Sequence, residues 1–206
     1  MQLGVTRRMA KSLQFSSTYI WAKSLSEVDD TNNAETNTQI EDAYNRARDK
    51  GNNYSVPRHQ WMNNALYNLP FGKGPILGGW QLNALINFAS GHFLNPQFAG
   101  SDPSNTNIVG GRPDALQPVT YPKTLAAWFD RTKFGVPTGG RFGTAARNSV
   151  EGPGYAIFNT GLTKSFRMER MGELQLGASF QNVLNHVNFG QPNMTVNNAA
   201  GGVITS

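Results

Sequence analysis

The sequence predicts an all-β fold of antiparallel up-and-down strands, and three observations carry that prediction. Stretches of period-2 apolar/polar alternation recur along the chain, which is the mark of strands with one apolar face. Short turn segments alternate with long polar segments between those stretches. Charged residues make up only 15% of the 206, well below the roughly 25% of ordinary soluble domains. Gly, Asn, Thr, Ser and Gln fill the place of the missing charge. Strands that face lipid on one side and water on the other need this balance, so the predicted architecture is a transmembrane β-barrel segment. About six strands in three hairpins are expected. They form one curved sheet that does not close by itself, because the smallest barrels use about eight strands.

Six elements follow in order. Residues 2–9 carry Leu3 and Val5 on one face, and residues 13–23 carry Leu13, Phe15, Tyr19 and Trp21. Residues 61–69 carry Trp61, Ala65, Tyr67 and Leu69. The cleanest alternation spans 80–88, where Trp80, Leu82, Ala84, Ile86 and Phe88 oppose Gln81, Asn83, Leu85 and Asn87. Residues 158–166 place Phe158, Thr160, Leu162 and Phe166 together, with Lys164 on the same face, where it is expected to snorkel to the interface. Residues 173–181 set Leu174, Leu176, Ala178 and Phe180 against Gln175, Gly177, Ser179 and Gln181.

The expected turns lie near 10–12, 70–78 and 167–172, and the long segments cover 25–55, 93–154 and the stretch from 186 onward. Short turns on the periplasmic side and long loops outside are the pattern of outer-membrane barrels. A soluble sandwich rarely places loops beyond about 15 residues at every second connection. Capping-box spacing at Thr38 and Glu41 predicts a short helix with Ile40, Ala43, Tyr44 and Ala47 on one face, and residues 124–130 predict another turn or two.

Several chemistries are set aside. The chain has no cysteine, so thiol catalysis, disulfides and cysteine-held metals are excluded. The basic residues behind the net charge of +5 are scattered, so no nucleic-acid partner is expected. No run of about 18 apolar residues predicts a transmembrane helix. The first residues show no signal peptide, and Met1 is therefore expected to be an internal methionine or a boundary. Glu27, Asp29, Asp30, Glu35, Glu41, Asp42 and Asp49 crowd one loop without calcium-loop spacing. They read as a solvated surface. His59, His92 and His186 lack metal-ligand spacing, and nothing brings Asp114 and Asp130 together as a glycosidase pair. No catalytic residue, cofactor or metal is expected.

The stretches YIWAKSL (19–25), NLPFGKG (68–74), GGWQLNAL (78–85), WFDRTKF (128–134), RFGTAARNSVEGPGY (141–155) and FQNVLNHVNFGQPN (180–193) span nearly the whole chain. Together they resemble, in the family's order, the barrel of Oar-like TonB-dependent receptors. The resemblance implies energised uptake of a scarce small molecule or oligosaccharide across the outer membrane of a Gram-negative-type bacterium. It also implies a TonB complex as partner and outer-membrane lipid around the barrel. The whole chain, 1–206, then reads as a partial barrel domain. The family's plug, TonB-contacting box, N-terminal carboxypeptidase-regulatory-like domain and aromatic-ended last strand have no counterpart in it. On this reading Trp21, Trp61, Tyr67 and Trp80 are girdle residues, and Leu82, Ile86, Phe88, Leu174, Leu176 and Phe180 face lipid on the convex side. Gln81, Asn83, Gln175, Ser179 and Gln181 face the lumen. A secreted or surface-exposed β-protein, an adhesin or carbohydrate binder, is the alternative, and a carbohydrate-active sandwich enzyme is a third.

Overall fold

The computed structural model describes residues 1–10, 12–28, 40–70, 72, 74, 76–107, 109–168 and 172–205. Six long strands form one sheet: β1 (Gln2–Ala10), β2 (Leu13–Trp21), β3 (His59–Asn68), β4 (Trp80–Ala89), β5 (Tyr155–Met168) and β6 (Gly172–Phe180). Sheet order follows chain order, and every neighbouring pair is antiparallel. Among the described residues β1 and β6 pair on one side only, so the sheet is open. The predicted strands and the all-β, up-and-down topology are therefore present. The three predicted short turns fall partly outside the described residues.

The largest boundary difference is at β5, which starts at Tyr155 because Tyr155 and Ala156 pair with Ala89 and Phe88. Ile157 and Phe158 are both apolar, which hides the period-2 signal there.

Residues directly opposite in an antiparallel ladder share a face, so the register assigns every side chain. One row runs Trp21–His59, and the next Leu3–Tyr19–Trp61–Phe88–Ala156. Nearer the short turns, Leu13, Tyr67, Leu82, Leu162 and Ala178 share a rung, and Trp80, Lys164 and Leu176 share the next. The apolar alternation of all six strands therefore falls on one face.

Lys164 corrects an expectation. It does not snorkel: it is 5% exposed, and its Nζ donates to the carbonyls of Gly78 and Ser165. The ammonium lies 4.7 Å from the centroid of the Phe166 ring and 5.7 Å from that of Trp80. Carbonyl dipoles and ring faces replace the lost water, which makes burial of the charge tolerable.

The long connections form a second compact unit, residues 22–58, 90–154 and 189–206. The sequence reading did not anticipate its packing. Leu94, Phe98, Phe129, Phe134, Ala145, Val150, Met194 and Val196 make a buried cluster, with Tyr54, Val119, Tyr121 and Trp128 against it. Each large apolar side chain buried this way contributes about 1.5–3 kcal/mol. Three two-residue ladders tie the unit: Leu25–Ser26 with Gly51–Asn52, Phe93–Leu94 with Val150–Glu151, and Asp114–Ala115 with Phe134–Gly135. The Trp128 indole donates to the Glu151 carbonyl at 2.9 Å, and the Tyr121 hydroxyl accepts from the Glu151 amide at 3.0 Å.

Neither short helix forms where the pattern put it. Thr38 lies outside the described residues, and Tyr44 is fully exposed. A single 3-10 turn, Arg46–Asp49, forms instead and buries Asp49, because the charged partners described below draw Arg48 and Asp49 inward. Residues 124–130 close on a Thr124–Ala127 turn. The 3-10 turn follows at Arg131–Lys133, where the Asp130 side chain accepts from the Thr132 amide.

Candidate functional site

The apolar face of the sheet is the first surface with the chemistry of a function. Its side chains are neither a core nor isolated. Leu82, Leu174, Leu176 and Phe180 are 38%, 45%, 57% and 52% exposed, whereas no residue of the loop cluster exceeds 8%. Trp80, Ile86, Phe88 and Tyr67 are half-buried by their neighbours in the sheet. Rings concentrate at the two ends. Toward the long connections Tyr19 stacks on His59 at 6.1 Å, Trp61 on Phe88 at 5.5 Å, and Phe158 meets Phe88 edge-on at 5.5 Å. Trp21 sits one row further out, opposite His59. Tyr67, Trp80 and Phe166 populate the short-turn end. Trp80 and Phe88 are eight residues apart, about 26 Å along a strand. With a tilt of about 40° that becomes about 20 Å of height, close to the apolar band of an outer-membrane barrel.

The opposite face is polar and almost uncharged. Gln81, Asn83, Gln175 and Ser179 lie there, with Gln14, Ser16, Thr18, Gln60, Asn64, Asn87, Asn159, Thr163 and Ser165. Among residues in register only Arg167 and Glu173 carry charge on this face, and they oppose each other at the short-turn end. Gln181 follows the last residue of β6 and belongs to a bend, outside the ladder. Sequence alternation found this face. It did not single out Gln14, Asn64 or Asn159, since their strands alternate less cleanly.

The loop unit holds a buried charge cluster that reverses part of the acidic-loop reading. Asp29, Asp30 and Glu35 lie outside the described residues. Glu27 pairs with Arg46 at 2.6 Å on the surface. Glu41 and Asp49, however, are drawn inside by Arg112, whose guanidinium is 2.9 Å from Glu41 and 2.7 Å from Asp49. Arg48 completes the set, 2.9 Å from Glu41 and donating to the Gly143 carbonyl at 2.8 Å. Glycine at 143 is required for this approach, because a Cβ there would strike the carbonyls of Arg112 and Pro113. All four charges are spent on one another.

Asp114 and Asp130 are likewise engaged separately. Arg141 grips Asp114 through two hydrogen bonds of 2.7 and 2.6 Å, and the Thr144 amide adds one at 3.1 Å. The Arg141 guanidinium beside Asp114 holds its carboxyl below the usual range, and the Thr144 contacts lower it further against an opposing burial effect. A depressed folded pKa means stability that is fully present above the unfolded value of about 3.9 and lost as pH falls through the folded one. Arg141→Ala should therefore lower the protection of the Thr144 amide in hydrogen exchange at pH 7. The difference from wild type is expected to shrink below about pH 4. The Arg141 side chain is 48% exposed, so solvent screening keeps the effect small.

The histidines are also dispersed. His59 Nδ1 lies 2.6 Å from the Tyr19 hydroxyl, His92 stacks on Tyr54 at 4.9 Å, and His186 sits 6.1 Å from the Phe158 ring. Among the described residues no group of three or more His, Asp or Glu side chains is placed to hold a metal ion.

A family model described as an outer membrane beta barrel domain matches residues 1–206. No curated protein and no solved structure matches the chain.

Proposed function

The chain belongs to the outer membrane beta barrel domain family and is an outer-membrane protein; from that premise we propose that it forms part of the wall of a TonB-dependent transporter. The observation that carries this reading is the two-faced sheet: an apolar face with rings at both ends, and a neutral polar face opposite it. Six strands are too few for closure, so the wall is completed by further strands. On this reading Trp21, Trp61, Tyr67, Trp80, Leu82, Ile86, Phe88, Leu174, Leu176 and Phe180 meet lipid, and the polar row with Gln81, Asn83, Gln175, Ser179 and Gln181 meets the lumen. The finer assignment to Oar-like receptors rests on the six motif stretches. Outer-membrane lipid and a TonB complex are the partners, and the cargo is a scarce small molecule or oligosaccharide.

One observation favours a second reading, a surface-exposed binding protein. The long connections form a packed unit with a buried charge cluster, and rigid loops suit a binding surface. Two measurements separate the readings. Full-length protein isolated from the native outer membrane is expected to retain purified periplasmic TonB domain and to conduct poorly in planar bilayers, because an internal plug closes it. Retention of no TonB together with steady open-pore conductance contradicts transport driven by TonB.

A further inference from the structure

The polar face of β2, β3 and β4 carries a groove of about 350 Å³, whose polar-face lining is Gln14, Ser16, Asn64, Leu66, Asn83 and Leu85. The register arranges four of these as a checkerboard. Leu66 pairs with Asn83 on one rung and Asn64 with Leu85 on the next. Gln14 and Ser16 extend the two rungs onto β2. Neighbouring strands are about 4.8 Å apart and successive same-face residues about 6.6 Å, so each leucine has amides within one side-chain length. The amides of Gln14, Asn64 and Asn83 hydrogen-bond no other described group, and all three residues are exposed. Opposite Asn83 stands Gly161, where a Cβ would lie only 2.6 Å from Asn83 Oδ1. Glycine there leaves the room in which the amide lies.

We propose that this groove binds a neutral, hydroxyl-rich ligand, a segment of an oligosaccharide, with amides on its hydroxyls and leucines against its C–H faces. The inference rests on the reading that the polar face lines the lumen. Each amide offers both a carbonyl acceptor and two N–H donors, which suits hydroxyls that both donate and accept. No charged side chain lines the groove. An ionic ligand would be stripped of water there without a counter-charge, which disfavours it. Leu85, 39% exposed, gains by being covered, as an apolar ring face would cover it.

Residues 1–206 contain no cysteine. The test is therefore made in the full-length protein in outer-membrane vesicles, with any cysteine outside these residues replaced by serine and the cysteine-free parent as the labelling control. Asn83→Cys is made together with Ser16→Cys, a smaller change that keeps the test valid if the first variant misfolds. A membrane-impermeant maleimide is expected to label both positions. Maltohexaose at ten times its Kd is expected to slow labelling about tenfold by mass action, and an equal-length oligogalacturonate is expected to leave it unchanged. Equal labelling rates with and without maltohexaose overturn the ligand class. Equal protection by both sugars overturns the selectivity for a neutral ligand. No reaction with either reagent means that the groove is covered, and overturns the binding site. Reaction only with a lipid-soluble maleimide overturns the lumen reading itself, and so separates that failure from the others.

Discussion

Replacing Arg112 with alanine is expected to destabilise the loop unit by about 3–5 kcal/mol, the usual cost of breaking a buried ion pair from one side. The Arg112 side chain is 2% exposed, and its two partners are nearly as enclosed: Asp49 at 1% and Glu41 at 10%. Arg112 also donates to the Arg48 carbonyl at 3.3 Å and, through its own amide, to Glu41. Its loss leaves the buried Asp49 without a salt-bridge partner, while Glu41 keeps Arg48. Arg112→Lys is expected to recover only part of the loss, because an ammonium cannot span two carboxylates as a planar fork does. Replacing all four together, with leucine at 41 and 49 and methionine at 48 and 112, should cost far less than Arg112→Ala, since an apolar set of similar volume leaves no charge without a partner. Hydrogen exchange resolves the result: loop amides lose protection in Arg112→Ala, while the amides of β3, β4 and β5 keep theirs. Equal loss in both units contradicts the local role.

Leu82→Arg and Leu176→Arg carry the second large effect, and its sign depends on the surroundings. In the complete barrel each change is expected to cost about 1–2 kcal/mol, between the midplane cost of about 2–4 kcal/mol and the interfacial cost of about 0–1. The value is intermediate because Leu82 and Leu176 share rungs with Tyr67 and Trp80 toward the short-turn end. For the 206-residue chain in detergent-free buffer the expectation reverses. Its apolar face then meets water as a patch larger than soluble monomers tolerate, and the free sides of β1 and β6 offer unpaired backbone groups. The wild-type chain is expected to aggregate, and the arginines to improve its solubility, since Leu82 and Leu176 support no core. Sedimentation of both forms in buffer, and refolding titrations in lipid, read the two signs. Destabilisation in both settings would make these leucines core residues.

The strands were legible because alternation in β4 and β6 leaves little choice of face, and one slipped residue would turn Leu82 and Leu176 to the wrong side. The faces of Gln81, Asn83, Gln175 and Ser179 follow from the same arithmetic. The loop unit was not legible for an equally physical reason. Its core gathers Phe98, Phe129, Phe134 and Val196 from two separate stretches of chain, with Tyr54 of a third packed against them, and no period links them. A density of aromatics in segments otherwise read as polar loops was the one available hint. Glu41 and Asp49 looked solvated because their partner Arg112 lies 71 and 63 residues further along the chain. Lys164 looked like a surface lysine because sequence cannot show the Gly78 carbonyl that receives it.

On the proposed function, alternate residues of one strand meet lipid and water. Single-cysteine spin labels at positions 80 to 89 of the full-length protein in bilayers test it most directly, by comparing collision rates with oxygen and with a water-soluble nickel complex. Positions 80, 82, 84, 86 and 88 are expected to favour oxygen, and 81, 83, 85 and 87 the nickel complex, with a period of two. Even-numbered positions shielded from both reagents, or open to the nickel complex, would contradict the account.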